Sequence, residues 1–306
     1  MRSRFSQRHP LLFGLFLVFT AVVLTFGAMA FFSSLRSGDI SWFATKVGIV
    51  HVRGTVVDSQ RTTDWIERLA QDDAVRAVLV RIDSPGGVVA PSQEIYDAVS
   101  KLAKSKPVLA SMGAVAASGG YYIACAADRI VANPGSITGS IGVKTQLLSF
   151  EDLLRRIGVV DQTVSSGQLK DAGSPTDTLS ESEREYFENL VQDLHEQFVM
   201  AVARGRSMDV EQVQNLADGR AFTGRQAQKA GLVDSLGSLS AAKNQLKDMA
   251  KIKGPVSYTE GPEEPSSVLS WILGLAAKWS GAKAVTGQRT VFSYIYSPHG
   301  PATVIR

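Results

Sequence analysis

Cysteine is almost missing: Cys125 stands alone in 306 residues, which excludes an intramolecular disulfide and a cysteine-rich zinc site. The four histidines, His9, His51, His195 and His299, are scattered, and none stands in a metal-binding spacing such as HExxH. Glycine-rich phosphate loops of the GxGxxG or GxxxxGK[ST] kind are also lacking, so nothing announces a nucleotide site. No cofactor is expected. Charge of one sign is not in excess, since 32 Lys and Arg stand against 29 Asp and Glu, a net charge of +3. Four of the basic residues, Arg2, Arg4, Arg8 and Arg36, lie at the N-terminal end, so the body carries no basic surface and a nucleic-acid partner is not expected.

What is there is enough to fold. Apolar residues make up 44% and charged residues 20%, far from the composition of disordered chains. The length is that of about two domains, or of one large α/β domain with attachments. From Leu11 to Phe32 runs a stretch of 22 residues without charge or proline. At 1.5 Å per residue such a run spans about 30 Å of hydrocarbon, so a transmembrane anchor is expected. Arg2, Arg4 and Arg8 precede it, which keeps the N-terminus cytoplasmic and sends the body outside, to the periplasm of a bacterial inner membrane or its equivalent. Ala28-Met29-Ala30 has the small-x-small pattern of a signal-peptide cleavage site, but the run is longer than a usual signal core, which favours a retained anchor.

Past the anchor, Lys46–Arg53 and Val75–Ile82 are short β-branched runs that read as buried strands. Between and after them, 62–71 and 92–102 carry apolar residues at helical spacing. Strand, helix, strand, helix is the signature of a parallel sheet in an α/β fold. Val108–Met112 and Arg129–Ala132 add strands, and 150–157 a helix. Ser180 and Glu183 form a capping box before a long amphipathic helix carrying Phe187, Leu190, Val191, Leu194, Phe198 and Val202. A second box, Thr223 to Gln226, opens a helix stopping at Gly231, then comes a short strand or turn over 232–237 and a final helix over 239–250. Beyond Gly254 the texture changes to Gly, Pro, Glu and Ser, then an apolar segment, 268–277, too short to span a membrane and suited to an interfacial or packed helix.

Two segments could carry chemistry. In Ala116-Ala117-Ser118-Gly119-Gly120-Tyr121-Tyr122 a serine sits among small residues where a strand should turn into a helix, so a substrate backbone can approach its hydroxyl and free N–H groups can face developing negative charge. Asp83-Ser84-Pro85-Gly86-Gly87 ends a core strand at the sheet edge where ligand sites form, and its two glycines can present N–H groups to an oxyanion. Ser84 is a rival nucleophile, but it precedes proline and lacks a following helix. A serine needs a base. His51 and His195 have no supporting pattern, whereas Lys170 lies in a polar loop, with Lys144 as an alternative. A lysine is a base only when neutral, and lowering a lysine pKa from about 10.4 to near 7 opposes the charged form by about 4–5 kcal/mol, which demands burial.

In combination these segments, together with Thr138-Gly139-Ser140-Ile141-Gly142-Val143, Ser166-Gly167-Gln168-Leu169-Lys170-Asp171 and Asp218–Ala227, resemble the signal peptide peptidase A family in its short, single-repeat form over roughly residues 46–248. More distantly the chain is similar to the Clp protease and crotonase folds, which implies repeated ββα units around a parallel sheet behind one N-terminal transmembrane helix. The resemblance implies a Ser/Lys dyad, with Ser118 as nucleophile, Lys170 as general base and Ser140 orienting the lysine. Gly119 and either Gly86 or Gly87 would form the oxyanion hole. It further implies peptide substrates such as cleaved signal peptides, and a ring-shaped homo-oligomer in which neighbouring subunits complete each other's dyads. The implied domain plan is a cytoplasmic N-terminus over 1–10, an anchor over 11–32, a linker over 33–45, the peptidase domain over 46–253 and an extension over 254–306. The alternatives are a silent membrane-bound scaffold of the same fold, or a crotonase-like enzyme acting on an acyl-coenzyme A.

Overall fold

The computed structural model describes residues 10–36, 44–262 and 293–295. Helix α1, Pro10–Arg36, contains the apolar run. Among the described residues no helix is long and apolar enough to cross a membrane. Within α1 the side chains described are those of 14–29, shorter than the span of about 20 residues that a bilayer needs. The apolar segment 268–277 lies outside the described residues.

The body begins with β1 (Thr45–Arg53), α2 (Gln60–Gln71), β2 (Val75–Ser84), β3 (Gly86–Val88) and α3 (Val89–Ala103). There follow β4 (Val108–Ala117), α4 (Gly119–Ala124), β5 (Arg129–Ala132), β6 (Ile137–Gly139) and α5 (Glu151–Arg156). The C-terminal half adds α6 (Glu181–Arg206), α7 (Val210–Gln214), β7 (Ala221–Thr223), α8 (Gly224–Lys229), β8 (Ser235–Leu236), α9 (Leu239–Met249), β9 (Val256–Gly261) and β10 (Ser293–Ile295). β1, β2, β4 and β6 lie side by side and parallel, as do β4 with β5 and β5 with β8, while β7 closes on β6 antiparallel. The largely parallel sheet expected from the alternating pattern is present. β3 and β10 form a separate antiparallel pair.

Central strands covered on both faces should read as continuous apolar runs, and β2 and β4 do: Ala77, Val78, Leu79, Val80, Val108, Leu109 and Ala110 have at most 1% of their surface exposed. β4 outruns the expected Val108–Met112 and continues to Ala117, because its small residues pair onward with Ile137, Thr138 and Gly139 of β6. Helix α6 starts at the expected box: Ser180 Oγ accepts the Glu183 N–H, and the Glu183 carboxylate accepts the Ser180 N–H at 2.8 Å. Its apolar stripe buries Phe187, Phe198, Val199 and Val202, at about 1.5–3 kcal/mol for each large side chain removed from water.

Gly205, near the end of α6, lets that helix touch α4: a β-carbon there would lie 2.0 Å from the Cys125 carbonyl oxygen. The next residue, Arg206, grips Asp234 through two hydrogen bonds of 2.9 and 2.8 Å and donates to the Gly231 carbonyl at 3.1 Å. Burial alone would raise the Asp234 pKa, but the Arg206 bonds and the Ile130 N–H outweigh it and hold the carboxyl below its ordinary value. Cys125 is fully buried, and that burial pushes its thiol up to about 12, as expected of a packing residue.

Candidate active site

Strand β4 ends at Ala117, and Ser118 makes the turn into α4 with φ 52° and ψ −118°. A side chain in this left-handed region costs of order 1–3 kcal/mol and persists only where surrounding bonds enforce it. Here the Ser118 N–H donates to the Gly139 carbonyl at 2.7 Å, and the Ser118 carbonyl accepts the Tyr122 N–H at 2.8 Å. The Ser118 hydroxyl makes no capping bond within α4. It thus sits at a strained strand-to-helix elbow, buried to 1% exposure and unspent on local structure.

Asp83–Gly87 folds against this elbow, and each residue has a separate task. The Asp83 carboxylate accepts the Val115 N–H at 3.1 Å, where the register between β2 and β4 shifts. Ser84 is fully buried, and its Oγ accepts the Gly86 N–H at 3.1 Å. This is the bond of a turn-forming serine, not the posture of a nucleophile. Gly86 has φ +99°, and a β-carbon on it would lie 2.6 Å from the Gly119 nitrogen. A β-carbon on Gly119 would lie 3.2 Å from the Gly87 nitrogen, and one on Gly87 would lie 2.0 Å from the Val56 carbonyl oxygen. Three glycine backbones therefore crowd together beside Ser118, an approach that any side chain would block.

Ser140 also has a positive φ, 51°, with 8% of its surface exposed. It follows β6, whose Gly139 holds the Ser118 N–H, so Ser140 and Ser118 flank one strand junction. The segment 218–227 clamps this junction. The Arg220 carbonyl accepts the Ser140 N–H at 2.9 Å, the Ile141 carbonyl accepts the Gly219 N–H at 3.1 Å, and the Ser136 carbonyl accepts the Gly224 N–H at 2.7 Å. Asp218 is paired with Arg220, whose hydrogen bonds hold its carboxyl down at about 2. The sequence segment is therefore a brace, and its reactive-looking residues bond one another.

Lys170 is placed differently. It lies in the loop between α5 and α6, its side chain exposed and without a hydrogen bond or ion pair to Ser118 or Ser140. The same region carries exposed Leu148, Phe150, Leu153, Ile157, Val160 and Val164. Lys144 is exposed as well. A cavity of about 660 Å³ opens between the 143–149 loop and α6, lined by Leu147, Phe187 and Val191 among others, and Ser118 and Lys170 are not in its wall. The structure thus brings Ser118, Ser140, Gly86, Gly87 and Gly119 together within one chain and leaves Lys170 apart. His51 bonds Glu260 at 2.9 Å, and His195 lies on α6; neither bonds Ser118.

One neighbour of the site escaped the sequence pattern. Tyr294 of β10 is fully buried against the site, and its carbonyl oxygen would meet a β-carbon of Gly86 at 2.0 Å. The aromatic and β-branched run Val291–Tyr296, closed by Ser297 and Pro298, is the strand signal that could have marked it.

A family model described as Peptidase family S49 matches residues 100–253. A protein of Enterococcus faecium provisionally named signal peptide peptidase SppA is 37% identical over 227 residues, covering 74% of this chain and 66% of that protein. A provisionally named protease of Synechocystis sp. is 38% identical over 230 residues, 75% of this chain and 83% of that one. The chloroplastic serine protease SPPA of Arabidopsis thaliana is 37% identical over 206 residues, with 67% of this chain covering 30% of that larger protein. The chain thus spans just under two thirds of the first of these relatives, most of the second and under a third of the last.

Proposed function

The chain belongs to peptidase family S49 as an SppA-type serine peptidase, and from that premise we propose that it is a membrane-anchored endopeptidase using a Ser118/Lys170 dyad on cleaved signal peptides and other short apolar segments. The observation that carries this reading is the elbow: Ser118 is strained and buried, its hydroxyl makes no capping bond, and the Gly119 and Gly87 nitrogens lie beside it. Ser118 Oγ attacks the scissile carbonyl, and its proton passes to the neutral Lys170 amine. The tetrahedral oxygen is held by the N–H groups of Gly119 and Gly87. Gly87 is favoured over Gly86 because the Gly86 N–H is already given to Ser84. Lys170 then protonates the leaving amine, and a water deprotonated by Lys170 hydrolyses the acyl-enzyme. Ser140, at the same junction, orients the lysine.

A neutral lysine needs desolvation, and an exposed loop does not supply it. The apolar side chains around that loop support burial by a second copy, so a ring-shaped homo-oligomer becomes part of the mechanism. The uncharged run from Leu11 to Phe32, preceded by arginines, supports a single-pass anchor with the body outside the cytoplasm.

The test uses the full chain in detergent micelles with a chromogenic apolar peptide ester. Ser118→Ala and Lys170→Ala each reduce kcat by about 10³-fold or more, with the melting temperature kept. Lys170→Arg does not rescue, since a guanidinium stays charged. Parental turnover in either alanine variant overturns that residue's role.

A further inference from the structure

Strand β3 passes into α3 without a break, and the side chain that fastens this corner is Ser92, in the first turn of the helix. Val88 stands at the N-cap of α3 and supplies no side-chain cap. The Ser92 hydroxyl instead donates back to the Val88 carbonyl at 2.9 Å. Ser92 is fully buried. Where only packing mattered, alanine would serve better: it is the stronger helix former, and it avoids the desolvation of a hydroxyl that a bond back along the helix only partly offsets. The hydroxyl therefore needs another reason to be there, and its surroundings supply one.

The same oxygen stands against Gly119. A β-carbon on Gly119 would lie 2.6 Å from Ser92 Oγ, 3.2 Å from the Gly86 α-carbon and 3.2 Å from the Gly87 nitrogen. Three atoms thus converge on the side where Gly119 carries no side chain, and Oγ is the nearest of them. Ser92 therefore bridges the two backbones whose N–H groups face the elbow. It is bonded to β3 at the residue after Gly87, and it abuts α4 at Gly119 itself. Its hydroxyl proton is committed to Val88, so Ser92 is not a third donor to the substrate.

We propose that Ser92 is a positioning residue of the oxyanion hole, its hydroxyl oxygen setting the spacing of the Gly87 and Gly119 N–H groups by tying one backbone and stopping the other. The proposal rests on the reading of Ser118 as the nucleophile and of these two glycines as the donors. Such donors act when they lie about 2.7–3.1 Å from the place where the oxyanion develops, so a shift of a few tenths of an ångström is felt in the transition state. Removing Oγ frees the corner at Val88 and takes the stop from Gly119, while both donors stay in the chain. The loss falls on transition-state binding and spares the binding of a planar ester.

The experiment takes the full chain in micelles, the apolar peptide ester, and a peptide boronate of the same sequence. Ser118 Oγ adds to the boron and gives up its proton to the base, which leaves a tetrahedral anion whose oxygen faces the donors. Ser92→Ala lowers kcat about tenfold with KM within about twofold of the parent, and it weakens the boronate by about the same factor. Binding of the peptide acid product stays at the parental level. A merely structural serine would lower the melting temperature and leave kcat and the boronate alone, and that outcome in the folded variant overturns the proposal. Ser92→Cys keeps the site filled should the alanine variant not fold. Its sulfur is larger and a poorer donor, so kcat and boronate affinity fall about fivefold or more, and parental values again overturn the proposal. Ser118→Ala separates the two readings. Boronate affinity retained there defeats the nucleophile, whereas affinity lost there but parental in both Ser92 variants defeats the positioning role alone.

Discussion

The two halves of the proposed dyad live in opposite surroundings. Ser118 is enclosed by the central sheet, α4, three glycine backbones and the brace from segment 218–227, and almost none of it meets solvent. Lys170 sits on an exposed loop among exposed Leu148, Phe150, Ile157 and Val164. The contrast teaches that one chain can build the proposed nucleophile and oxyanion donors, since those depend on backbone geometry that a parallel sheet supplies by itself. The proposed base would need a dry environment, from bound substrate or from a second copy; in the second case peptidase activity would be gated by assembly.

Three changes test this contrast, from the largest expected effect to the smallest. Gly87→Ala attacks the enclosed half directly, because its β-carbon would lie 2.0 Å from the Val56 carbonyl oxygen and both partners are backbone. A loss of about 3 kcal/mol in unfolding free energy is expected, together with a fall in turnover of about 10²-fold. Chemical denaturation and the ester assay read the two effects separately, and parental values in both would mean that the glycine cluster is not rigid.

Arg206→Ala tests what holds the enclosed half to the long helix. Removing a mostly buried partner of Asp234 should cost about 3 kcal/mol, read as a lower denaturation midpoint at pH 7. The pH dependence has a definite sign. The Asp234 carboxyl is depressed in the folded state, so its contribution is present above the unfolded carboxylate pKa of about 3.9 and fades as pH falls through the lower folded value. The deficit of Arg206→Ala against the parent should therefore shrink on acidification below about pH 4. A deficit that stays constant down to pH 2 would refute the pair as its origin.

Val164→Asp tests the exposed half. Val164 has 97% of its side chain in solvent, so unfolding of the isolated chain should change by less than about 0.5 kcal/mol. If a second copy covers this loop, the same change lowers the oligomer mass in light scattering and lowers turnover with it. An unaltered mass and unaltered turnover would place the subunit contact elsewhere.

Much of the scaffold was legible because burial leaves a compositional mark. The β-branched runs of β1 and β2, the capping box at Ser180 and Glu183, and the stop at Gly231 each follow from local chemistry, and each lies within a residue or two of its expected place. The far end of β4 was hidden, since Gly113–Ala117 has the composition of a loop and becomes strand by pairing with β6 and, at Ala116, with β2. β6 and β7 escaped for the same reason: three residues carry no period, and their partners lie far along the chain. At the site, the small residues around Ser118 signalled the elbow. Its partner glycines could be named, yet the proposed choice of Gly87 over Gly86 depends on the Gly86 N–H donating to Ser84 Oγ, which spacing does not reveal. Tyr294 lies in a run that reads as a strand, but its pairing with β3 could not be read, because the two segments lie far apart in the chain.

The left-handed backbone at Ser118 sets folding and chemistry against each other at a single residue. Glycine is the residue that the conformation favours, and it would relieve a strain of order 1–3 kcal/mol. The proposed attack needs a nucleophilic side chain there, which glycine lacks. If that reading holds, a lineage freed from the need for turnover would be expected to drift toward glycine at this position while keeping its brace.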